Sequence, residues 1–162
     1  MTTSDAHAPA KLSVRVSRFI QAPPQDVFEA WIKPEIRKKW WLTARGDGLT
    51  TCEIDARPGG RYCLKQIGGG SETPDEDDDY EWVMDGEFLE VVASKRLVFT
   101  WNVNHPEEPV VDQRVTVELR EVDGGTEVTI THEGILSNRL REGTEQGWTK
   151  LLQTMAEVLQ RN

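Results

Sequence analysis

The side chains able to do chemistry are few. His132, in "TITHEG", is the one histidine inside a regular pattern: it alternates with Val128 and Ile130, so the three share one face of a strand. An imidazole among aliphatic residues has two readings, a hydrogen-bonded core residue or the single polar anchor of an oily pocket. In either, burial lowers its pKa and keeps it neutral. In "EIRKKWWLT", residues 35–43, three cations run directly into two tryptophans. The "RKK" run reads as a solvated face, and with Arg45 it could also receive an acidic head group near Trp41. Each indole presents roughly 150–250 Å², so leaving both in water would forfeit several kcal/mol at about 25 cal/mol per Å².

Covalent and metal chemistry find little support. Cys52 and Cys63 are too few for a disulfide scaffold and form no CxxC pair. Around "DARPGGRY", a hairpin loop of Pro58, Gly59 and Gly60 would set Ile54 opposite Leu64, Ala56 opposite Tyr62 and Cys63 opposite Asp55. The two thiols then face opposite sides and are expected to be free. The acids of "GGGSETPDEDDD" lack the spacing of a calcium loop, and its glycines lack the lysine of a phosphate loop. No Gly-Xaa-Ser-Xaa-Gly elbow, HExxH or histidine pair occurs. Neither a metal, a cofactor nor a catalytic residue is therefore assigned.

The 162 residues suit one domain, and 19 basic against 28 acidic residues give a net charge of −9. That balance repels phosphate backbones and anionic membrane surfaces. The start, "MTTSDAHAPAK", has no secretory pattern, and no run is long enough to span a bilayer. The expectation is a cytoplasmic protein with a disordered tail at residues 1–11 and one domain over 12–162.

The elements that must position these residues are legible in the hydrophobic periods. "LSVRVSRFI" alternates as a half-buried strand from Leu12 to Ile20, with Phe19 out of step. Pro24 opens a short helix carrying Val27, Phe28 and Trp31, and Pro34 ends it and opens a second. Within the second, Ile36 and Trp40 share one stripe, whereas Trp41 lies on the side of Arg37. Trp40 is thus a core residue and Trp41 an amphipathic one near an opening.

Strands follow at about 50–56, 60–67, 80–92, 96–104, 111–122 and 126–134, joined by short links except for a flexible acidic loop at 68–79. "GWTKLLQTMAEVLQ" then sets Trp148, Leu151, Leu152, Met155, Val158 and Leu159 on one face of a helix of about four turns, with Thr144 as its cap. Gly147 beside Trp148 serves either tight helix packing or close approach of a ligand. Such an apolar stripe must lie on the sheet, giving an α+β architecture in which a curved antiparallel sheet of about seven strands grips the last helix.

The pieces "VSRFIQAPPQDVFEAW", "KPEIRKKWW", "DARPGGRY", "GEFLEVVASKRLVFTWN", "VTVELREVDGGTEVTITHEG" and "GWTKLLQTM" occur in the order seen in the START-like helix-grip superfamily, also called SRPBCC. Within it the chain resembles, over about residues 12–160, the homologues of the activator of heat-shock-protein ATPase. The resemblance implies a cavity between the concave sheet and the terminal helix, used by different members for lipids, hormones or polyketides. Strand parity places Tyr62, Trp82, Phe88, Phe99, Trp101 and Val117 on one concave face. With Trp41, His132, Trp148 and Leu152 they form the expected ligand site. The function expected is binding of a small hydrophobic or aromatic molecule. The alternatives are a chaperone-associated, stress-response module that binds a protein partner, and a polyketide cyclase-like or hydrolase-like enzyme.

Overall fold

The computed structural model describes residues 11–41, 48–68, 80–106 and 108–160. In chain order they form β1 (Leu12–Ile20), α1 (Pro24–Ile32), α2 (Pro34–Trp40), β2 (Thr51–Ile54), β3 (Arg61–Ile67), β4 (Glu81–Val92), β5 (Arg96–Val103), β6 (Val110–Val122), β7 (Gly125–Ile135) and α3 (Asn138–Gln160). The strands make one sheet in the order β1-β7-β6-β5-β4-β3-β2, antiparallel at every step. Residues 1–10 of the tail expected at 1–11, Arg45, and residues 69–79 of the acidic loop expected at 68–79 lie outside the described residues.

Alternation decides which strand face is covered. Val115, Val117 and Leu119 of β6 and Val128, Ile130 and His132 of β7 are all buried, and the register sets Val115 against His132 and Val117 against Ile130. Leu97 and Phe99 continue the same rows on β5. Across this face lies α3, which buries Trp148, Leu152, Met155 and Ala156 at helical spacing and packs chiefly on β1 while touching α1 and α2. Among the described residues no helix is long and apolar enough to cross a membrane.

Two local expectations need correction. The β2–β3 register is shifted by two residues: Ile54 pairs with Tyr62 and Cys52 with Leu64. The reason is the loop, in which a β-turn over 57–60 closes by Gly60 N–H donating to Arg57 O at 2.7 Å. Asp55 N–H donates to Arg61 O one step further out, so the hairpin loop is longer than three residues. Pro58 and Gly59, with φ +84°, hold the two central positions, as a type II turn requires. Because a shift of two preserves the faces, Cys52 and Cys63 still point to opposite sides, and both are free. At the other end of the chain α3 runs for 23 residues rather than four turns. Its cap is Ser137, whose Oγ accepts from Leu140 N–H at 3.2 Å; Thr144 sits inside the helix.

Candidate functional site

The site is built around a broken helix. In an unbroken helix the N–H of residue 34 would donate to Ala30 O, but residue 34 is proline and has none. At Lys33 the chain turns extended, with φ −93° and ψ 118°, and the last carbonyls of α1 are left without a helical donor. Two side chains of α2 supply the donors: Trp40 Nε1 reaches Ala30 O at 2.8 Å and Arg37 Nη1 reaches Trp31 O at 2.7 Å. Spacing along α2 makes this possible, since Arg37 and Trp40 are three apart and face back toward α1. Trp40 is fully buried, as its stripe predicts.

Arg37 overturns the solvated reading of its run. Lys38 and Lys39 are exposed, but Arg37 is only 4% exposed. Its Cζ lies 5.0, 5.2 and 4.6 Å from the ring centres of Trp31, Trp40 and Trp41, within cation–π range of all three. A buried charge normally demands an anion. Among the described residues no carboxylate pairs with it, and the groups acting on it are Cys52 and Tyr62. Burial pushes its pKa down to about 10, which still leaves it cationic at neutral pH. The same burial raises the Tyr62 phenol and the Cys52 thiol, so neither supplies a negative charge there. Among the described residues two buried donors lack an acceptor, Arg37 Nε and the neighbouring Trp31 Nε1.

Around this cation the rings form a continuous lattice. Trp31 meets Trp40, Trp148 and Phe99 at centroid distances of 5.0, 5.9 and 6.4 Å. Trp41 meets Trp148 at 5.7 Å and Trp101 at 6.1 Å, and Trp101 meets Trp148 at 5.6 Å. Tyr62, Phe88 and Phe99 extend the lattice toward β3 and β4 at 5.4 to 5.8 Å. Val117 and Leu152 are buried in the same core. These spacings are contact distances. The described rings therefore touch one another where the resemblance implied a void. Trp41, expected near an opening, is only 4% exposed; Trp101 is the half-buried member. Trp82 stands apart from this lattice, with Tyr80 and His105 at 5.0 and 5.3 Å. Of the ten expected wall residues the structure thus gathers nine and separates Trp82.

His132 lies 1% exposed against Trp101 and Trp148. The Trp148 indole donates to its Nδ1 at 3.0 Å, which makes Nδ1 an acceptor and puts the proton on Nε2. That proton goes to Gln113 Oε1 at 2.6 Å. Burial lowers the imidazole pKa to about 4, and both nitrogens are committed to protein partners. This favours the core reading over the ligand-anchor reading. Gly147 serves neither expected purpose: it is exposed, and an added Cβ would meet nothing within 4 Å.

Sequence reasoning missed Gln113 and Trp31 as site residues, and it weighed Arg37 only as part of a cationic run at 37–39 that could receive an acidic head group, not as a buried side chain. For Arg37 a signal existed, because Pro34 necessarily orphans carbonyls at the end of α1 and a donor three residues on can reach them. Gln113 carried none, since it pairs with Trp101 only through the β5–β6 register.

Solved structures share this architecture. A protein from Chromobacterium violaceum is 26% identical, with 91% of this chain and 96% of that one covered and a TM-score of 0.76. One from Rhizobium leguminosarum is 22% identical, covering 96% and 98%, with a TM-score of 0.77. CalU16 from Micromonospora echinospora is 20% identical, covering 91% and 75%, with a TM-score of 0.65. No functionally curated protein matches. The family model described as "Activator of Hsp90 ATPase homolog 1-like protein" matches residues 21–160. With its seven-stranded curved sheet gripping a long terminal helix, the chain belongs to that family and has its α+β helix-grip fold.

Proposed function

We propose that the protein binds a small hydrophobic or aromatic molecule between the concave sheet and its helices. The observation that carries the reading is the lattice itself: five of the six tryptophans meet there, together with a buried indole N–H and a guanidinium N–H that have no acceptor. A core needing only volume is filled by aliphatics with well-defined shapes and leaves no donor unsatisfied. Flat rings instead offer stacking surface, and the orphaned donors offer orientation. The ligand enters by parting ring contacts at Trp41 and half-buried Trp101, and it replaces ring–ring contact with ring–ligand contact. Val117 and Leu152 form the floor.

Support for a chaperone partner comes from the family description alone. A cyclase-like role has less, since His132, the natural acid or base, has both nitrogens engaged. Intrinsic fluorescence with a panel of neutral aromatic compounds separates these readings. Quenching or a spectral shift at micromolar ligand is expected. No response to any compound, together with stimulation of a chaperone ATPase, would replace this reading with the partner-binding one.

A further inference from the structure

Arg37 sets a chemical condition on the ligand. A guanidinium has five N–H groups, and the hydrogen bond from Nη1 to Trp31 O uses one of them. Nε, with no partner, lies on the edge that the guanidinium shares between Nε and its second Nη. That edge is the fork that matches a planar carboxylate with two parallel hydrogen bonds. Cation–π contact with three indoles offsets part of the burial of the charge, and the carboxyl end of α1 favours a cation as well. Neither gives Nε an acceptor.

We propose that Arg37 receives an acidic group on the ligand, so that the site takes aromatic carboxylates in preference to their neutral counterparts. The proposal rests on the ligand-binding reading above and adds the class of ligand. Cys52 and Tyr62, the groups nearest in charge, stay neutral at physiological pH, so a carboxylate meets no competing anion from them. The whole chain, at −9, repels anions at long range. A preference for the acid must therefore come from a local buried cation rather than from the surface field.

The test compares 2-naphthoate with 2-naphthamide, two probes of one shape that differ in charge, by calorimetry on the full chain at pH 7. Naphthoate is expected to bind about tenfold tighter or more, the range of a charge-assisted hydrogen bond. In Arg37→Gln that ratio is expected to fall to near one. Equal affinities in the unaltered protein would overturn the acid preference while leaving the apolar reading standing. Binding of neither probe would overturn both. Should Arg37→Gln fail to fold, the Arg37 Nε–H resonance of the unaltered protein decides. Naphthoate, and not naphthamide, is expected to shift it; an unmoved resonance with naphthoate bound would place the acid elsewhere and overturn the proposal.

Discussion

At the scale of single residues, His132 and Trp40 show how buried polar groups are kept satisfied. His132 is neutral in the fold with a pKa of about 4, against about 6.5 in the unfolded chain. A lowered pKa means that the unfolded state binds the proton first as pH falls. The stability it contributes is therefore complete above about pH 6.5 and drains as pH drops through about 4, up to about 3 kcal/mol in all. Urea denaturation at pH 7 and pH 4 is expected to show this loss in the unaltered protein, and His132→Gln is expected to reduce that pH dependence by a similar amount. An unchanged pH dependence would contradict the buried neutral imidazole. For Trp40, replacement by phenylalanine keeps an aromatic ring but removes the donor to Ala30 O. A loss of about 1–3 kcal/mol is expected from the orphaned carbonyl, read as a lower urea midpoint.

At the scale of elements, the periods that were legible are those set by burial on one side. β1, α1, α2 and the succession of seven strands along the chain followed from alternation, from helical spacing and from Pro24 and Pro34 opening their helices. Chain features that depend on loop closure were not legible. The β2–β3 register turned on a loop longer than three residues, and the start of α3 on a serine ahead of a polar stretch with no apolar stripe to announce it. Strand parity gathered most of the ring lattice, because parity survives a register shift of two. It misplaced Trp82, since parity assigns a face but not a position along the strand. Arg37 was misread because a charge run looks solvated unless the carbonyls that it must satisfy are counted first.

Close approach between β4 and β5 gives a further test at this scale. Gly86 sits where an added Cβ would lie 2.0 Å from Thr100 O, and Tyr62, paired with Gly86 on β3, donates its hydroxyl to that same oxygen at 2.6 Å. The bare backbone lets the tyrosine ring cross over β4 and join the lattice. Gly86→Ala is expected to destabilise by about 2 kcal/mol or more, with a thermal midpoint several degrees lower. An unshifted midpoint would show that the strands separate there without penalty.

At the scale of the whole molecule, a sheet closed by three helices holds its tryptophans in two separate groups. One is the interior lattice with Arg37; the other is the rim cluster of Trp82, Tyr80 and His105. Ligand binding in the interior must report through the first group and leave the second untouched. The indole N–H resonances of the six tryptophans, followed by NMR as 2-naphthamide is added, distinguish the two directly. The account predicts that Trp41, Trp101 and Trp148 shift together while Trp82 stays in place. Movement of Trp82 alone, or of no indole at saturating probe, would contradict it.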